Sequence, residues 1–153
     1  VNIFGNDISK LDEYAWYEKN SDQKTNLVGQ KKPNPFGLHD IMGNVAEWTY
    51  DQYHADYYKQ FEGKKTKNPI AVPTELYPHS VRGGSFASSA TDLRSAARGA
   101  SDPMWKQLDP QMPKSNWWFP EAPFVGLRLV RPVNSPSHEE ILAYYDQAPI
   151  EDF

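Results

Sequence analysis

The sequence predicts an α+β fold of short strands joined by long loops, with helix a minor component. Three observations carry this. The strand-like runs are brief, as in the alternation of Val125, Leu127 and Leu129. The run at 81–86 is broken by Gly83 and Gly84, which mark a bulge or a close backbone approach. The densest apolar stretch, 36–48, contains Gly37 and Gly43 and so cannot read as a helix.

In chain order, Gly5-Asn6-Asp7 reads as a turn. Ser9-Lys10-Leu11-Asp12 fits a capping box, which predicts a helix over 11–18 with Leu11, Tyr14 and Ala15 on one face. Gly29, Pro33 and Pro35 keep 28–35 extended or turned. Residues 36–48 are too apolar for a solvated loop. They predict a buried turn at Gly43-Asn44 entering a strand over 45–51, with the turn's polar groups satisfied inside the fold. Tyr50, Tyr53, Tyr57 and Phe61 are spaced for a helical face that packs into the core. Strands are expected over 81–86, 93–98 and 125–131, the last burying Val125, Leu127 and Leu129. Between them, 101–124 lacks any period and reads as a long ordered loop pinned by Trp105, Trp117 and Trp118. Ser137-His138-Glu139-Glu140 is a second capping box. It opens a helix over 139–145 with Ile141, Leu142 and Tyr145 as its apolar side.

At 153 residues, one domain is the expectation. A net charge of −4 leaves no electrostatic footprint for nucleic acid. No apolar run approaches the ~20 residues of a membrane-spanning helix. Cysteine is absent, which excludes disulfides and thiolate metal sites. Aromatic residues are 14% of the chain, enough for a dense core and for a binding face where Trp and Tyr reach the surface. The chain begins at Val1, so the expectation is either a removed leader or a piece of something longer.

Asp40 and Glu47 lie seven residues apart across the Gly-Asn turn. They can converge on one hard cation, with backbone carbonyls completing an oxygen shell that selects calcium over zinc or copper. The alternative is that Asp40 caps the turn while Glu47 pairs with Arg98 or Arg128. Arg82, Arg94, Arg98 and Arg128 all lie in runs expected to pair as strands. Their bland reading is salt bridging to Asp92, Glu47 or Asp51, and their functional reading is an anion or carboxylate pocket. Ser85 and Ser88 have no Gly-x-Ser-x-Gly context for a hydrolase nucleophile.

FGLHDIMGNVAEW at 36–48 resembles the signature of the formylglycine-generating enzyme family, the sulfatase-modifying-factor domains. Three further blocks follow in family order: VRGGSF at 81–86, AAR at 96–98 and VGLRLV at 125–130. The resemblance covers 11–132. It implies a C-type-lectin-like domain over 1–132, with 133–153 as an extension carrying a short helix. It also implies that the N-terminal half of the family domain has no counterpart in this chain. In register with the family, Asp40 and Glu47 supply carboxylate oxygens to calcium, and Gly43 and Val45 supply carbonyls. Asn2-Ile3 resembles a pair from another family calcium site.

Aerobic members of the family hold Cu(I) on two cysteines and oxidise a substrate cysteine to formylglycine. Here Ser88 stands in ungapped register with the first of those cysteines, and the chain holds no thiolate to replace it. Copper is therefore not expected. A second branch uses iron held by histidines, but His39, His54, His79 and His138 show no paired spacing.

Two functions follow. One is a non-catalytic binding or scaffolding module of a secreted or envelope protein. Its partner would be a protein or peptide: the missing N-terminal half or another subunit. Its location would be extracytoplasmic, and its ligand-binding candidates are Arg82, Ser85, Ser88, Arg98, Trp105 and Trp117. The alternative is an oxidoreductase of the family, formylglycine-generating or iron-dependent, whose catalytic groups lie in a missing segment. A hypervariable ligand-display protein on the same fold is a third possibility.

Overall fold

A computed structural model of the chain describes residues 5, 7–67, 69–106 and 122–146. Its centre is a four-stranded sheet ordered β3-β2-β1-β4. The strands are β1 (Ala46–Gln52), β2 (His79–Arg82), β3 (Gly99–Ala100) and β4 (Val125–Gly126). β1 and β2 pair antiparallel with Glu47 opposite Arg82 and Trp48 opposite Val81, and β1 meets β4 in parallel with Ala46 opposite Val125. Residues directly opposite one another share a face of the sheet, and neighbours along a strand alternate. Ala46, Trp48 and Val81 therefore face one side, and Glu47 and Arg82 the other. Among the described residues the helices are short: α1 (Leu11–Tyr14), α2 (His138–Asp146) and 3₁₀ segments at Ile8–Lys10, Tyr57–Phe61 and Pro103–Lys106.

Several expectations need correction. Residues 93–96 form turns and 97–98 are irregular, and the short strand β3 comes directly after them. The run is Ser-, Ala- and Arg-rich, and Leu93 packs fully into the core. β2 stops at Arg82 because Gly83 and Gly84 both take positive φ and turn the chain away. The tyrosine run divides: Tyr50 lies in β1, and only Tyr57–Phe61 winds, as a 3₁₀ helix. Leu127 and Leu129 do not form a buried face, being 74% and 91% exposed. Asp7, not Ser9, caps the first helical turn by accepting the Ser9 N–H at 3.0 Å. The second capping box forms as read, with Ser137 N–H to Glu140 Oε2 at 2.7 Å and Glu140 N–H to Ser137 Oγ at 3.2 Å.

The core gathers Leu11, Ala15, Tyr17, Met42 and Leu93. It joins three segments distant in sequence, and the turn at 43–44 locks them. Gly43 donates to the Gly83 carbonyl at 2.9 Å, Asn44 to that of Trp16 at 2.8 Å, and Phe86 to that of Asn44 at 2.8 Å. The Asn44 side chain, 4% exposed, accepts from Asn26 N–H at 2.9 Å and donates to Asn26 C=O at 3.0 Å. The expectation of a buried turn therefore holds, with the N–H groups of Gly43 and Asn44 and the Asn44 carbonyl satisfied inside the fold.

Candidate functional site

Beyond Arg82 the chain leaves the sheet through Gly83-Gly84 and coils at 85–88. Ser85, 4% exposed, donates its N–H to Ser88 Oγ at 2.9 Å, and the two hydroxyl oxygens lie 3.3 Å apart. This turn walls a cleft of about 220 Å³, whose other lining includes Ala46, Val81, Asp92, Arg98, Trp105 and Phe124. Three rings edge one another beside it: Trp48 to Trp105 at 5.9 Å and Trp105 to Phe124 at 5.2 Å between centroids. His79 packs edge-on against Trp48.

Ser85, Ser88, Arg98 and Trp105 thus come together as the sequence reading grouped them. Arg82 lies on the other face of the sheet, and Trp117 falls outside the described residues. Trp48, Phe124 and Asp92 were missed. The signal for Trp48 was its alternation with Ala46, which puts both on one face of β1. Phe124 and Asp92 arrive through long-range contacts that no local pattern encodes.

Among the described residues, neither serine hydroxyl of the cleft bonds a histidine or carboxylate. Asp92 Oδ2 accepts from Ser89 Oγ at 2.8 Å. Arg98 gives its two terminal nitrogens to the carbonyls of His54 and Ala55, and its guanidinium stacks on Tyr53 and Tyr58. Its charge is fixed but not neutralised by a carboxylate among the described residues.

At the other end of the central turn, Arg128 Nε donates to Glu47 Oε1 at 2.7 Å, and its Nη2 reaches the carbonyls of His39 and Asp40 at 3.1 and 3.0 Å. Asp40 takes a positive φ of 54°. Its Oδ2 accepts the Gly29 N–H at 2.8 Å, while Oδ1 is buried without a hydrogen-bond partner. The arrangement anticipated as the alternative to calcium, a capping Asp40 with a Glu47–Arg128 pair, is thus present. It nevertheless leaves one carboxylate oxygen unsatisfied. Among the described residues, no loop hydrogen bond ends on the carbonyl of Gly43 or Val45. The donor set is all oxygen, as calcium requires, and includes an orphaned buried acceptor, so these residues fit that ion. Among the described residues, no three His, Asp or Glu side chains gather as a metal-binding group. Asn2 and Ile3 lie outside the described residues.

The family profile described as "Sulfatase-modifying factor enzyme 1-like domain" matches residues 2–110. The chain is similar to the serine/threonine-protein kinase pkn1 of Chlamydia pneumoniae, at 37% identity over 79 residues, 52% of this chain and 12% of that protein. It is similar to the kinase of the same name in Chlamydia caviae, at 37% identity over 70 residues, 46% of this chain and 11% of that protein. It therefore spans about an eighth of the length of the curated relatives it matches. Among solved structures, Treponema denticola variable protein 1 aligns with a TM-score of 0.49 at 35% identity, over 62% of this chain and 33% of that one. PvdO from Pseudomonas aeruginosa aligns with a TM-score of 0.48 at 29% identity, over 60% and 34%. Among the described residues no helix is long and apolar enough to cross a membrane. The four-strand sheet, scarce helix and long loops agree with a C-type-lectin-like fold, and with residues 2–110 of 153 inside the profile, the chain belongs to the sulfatase-modifying factor enzyme 1-like domain family.

Proposed function

We propose that this domain is a non-catalytic binding module, taking an extended peptide segment of a protein partner into the serine-walled cleft. One observation carries this reading: Ser88, in register with the first copper-binding cysteine of aerobic relatives, spends its hydroxyl holding the Ser85 turn. A hydroxyl cannot replace a thiolate as a Cu(I) ligand. What remains is an aromatic rim and polar walls, a lining suited to peptide recognition. The curated relatives carry the matching segment inside far longer proteins, which supports a module working beside other domains. An extracytoplasmic location belongs to the same proposal. Panning a displayed random-peptide library tests the reading. Enriched peptides should bind saturably and lose about tenfold or more in affinity on Trp105→Ala, the scale of an aromatic anchor. Failure to enrich any peptide, or affinity indifferent to Trp105→Ala, would count against it.

Calcium belongs to this proposal as a structural ion. Asp40 Oδ1, the carboxylate of Glu47 and the carbonyls of Gly43 and Val45 would hold it, and bound there it would neutralise a buried acid and stiffen the turn that locks the core.

A further inference from the structure

We propose that the opposite face of the sheet carries a second site, a receptor for a carboxylate borne on a short apolar body. A cleft of about 220 Å³ opens there between Glu47 and Arg82 of the sheet and the turns at 93–95, with Ile41, Met42 and Leu93 as apolar lining and Arg94 and Ser95 at its edge. Met42 and Leu93 belong to the buried core, so the floor is rigid.

The charge pattern selects the ligand. Glu47 is neutralised by Arg128 at 2.7 Å. Arg82 and Arg94 have no carboxylate partner among the described residues. Arg82 is held by carbonyls instead, Nη1 on Ala97 at 2.8 Å and Nη2 on Ser95 at 2.9 Å, and Arg94 Nε is held by the Thr91 carbonyl at 2.8 Å. Carbonyl bonds orient a guanidinium without cancelling its charge. Two oriented cations above an apolar floor, in a chain of net charge −4, form a receptor for an anion rather than a self-compensated network. An inorganic anion would leave the apolar floor wet. The cleft, at about 220 Å³, has room for a carboxylate with a short hydrocarbon body. A small organic acid and the C-terminal residue of a polypeptide share that chemistry.

Titration of the isotopically labelled protein with hexanoate, followed by amide NMR, tests this. Hexanoate should shift the Gly83, Arg94 and Ser95 amides saturably, and hexanamide, its neutral counterpart, should not. Arg94→Gln should weaken binding about tenfold, the worth of one charge-assisted contact. Ser95→Glu, a second exposed substitution, should block it by placing a fixed carboxylate at the edge. A peptide ending in a free leucine carboxylate, run beside its amide, separates the two sources. Tighter binding than hexanoate assigns the site to polypeptide C-termini, and equal or weaker binding assigns it to small acids. Absence of saturable shifts with both acids, hexanamide shifting the same amides, or undiminished binding by both variants would overturn the proposal. Trp105→Ala, which acts on the serine cleft, should leave hexanoate binding intact, so the two sites fail independently.

Discussion

Gly43 lies against the backbone of Trp16 so closely that a Cβ on it would stand 2.1 Å from the Trp16 carbonyl oxygen. The two residues form a parallel bridge between the N-terminal segment and the central turn. Gly43 also takes φ +75°, a region that favours glycine. Gly43→Ala should therefore destabilise the fold by at least about 3 kcal/mol, combining left-handed strain with a backbone clash. Gly63 has nearly the same φ, +72°, with nothing within 4 Å. Gly63→Ala should cost only about 1 kcal/mol. Urea denaturation of both variants measures the difference, and equal losses would show that the close approach to Trp16 does not matter.

Asn44 clasps the backbone of Asn26 with both ends of its amide. Asn44→Ala should cost about 3 kcal/mol, since it leaves a part-buried N–H and C=O without partners. Asn44→Asp should also destabilise, because the Asn26 carbonyl would then face an acceptor. Hydrogen exchange should show the Asn26 amide losing protection in Asn44→Ala more than in Asn44→Asp, whose carboxylate can still accept that N–H.

The central turn was legible because glycine and asparagine amid large apolar residues have few other solutions. The Ser137–Glu140 box was legible because its partners lie three residues apart. Other features were set by contacts remote in sequence. Leu93 looks like a strand residue but is held by Leu11 and Met42 across the core. The 81–86 run alternates like a longer strand, yet Gly83-Gly84 turn it aside after Arg82. Arg82, Arg94 and Arg98 were expected to meet acids and instead meet carbonyls. Of the candidate site, Ser85, Ser88, Arg98 and Trp105 did converge, while Arg82 fell on the opposite face by the alternation of β2.

Tyr17 Oη donates to Asp12 Oδ1 at 2.6 Å. Burial, then this bond, push the tyrosine up to about 12. Lys19 first, then Tyr17, hold Asp12 below its ordinary value. The Tyr17 contribution to stability is complete below the unfolded value of ~10 and is lost as pH rises through 12. The Asp12 contribution is complete above ~3.9 and is lost as pH falls through its lowered value. Tyr17→Phe should cost about 1 kcal/mol at neutral pH and flatten the fall in melting temperature between pH 10 and 12. An unchanged alkaline limb would contradict the assignment to Tyr17.

Calcium should raise the melting temperature through linkage, at millimolar concentrations if the site resembles the ~10⁻⁴–10⁻³ M sites of extracellular modules. Asp40→Ala and Glu47→Ala, which leave no side-chain oxygen, should each remove that response. A melting temperature indifferent to calcium and to chelator would leave the Glu47–Arg128 pair as the full account of this corner.

The most direct test of the central claim is turnover. The protein is incubated with a cysteine-containing sulfatase-type peptide, Cu(I), a thiol reductant and oxygen, and the peptide is read by mass spectrometry. The serine cleft predicts an unchanged peptide, indistinguishable from a control without protein. Conversion of the cysteine to formylglycine above that control would contradict a non-catalytic module.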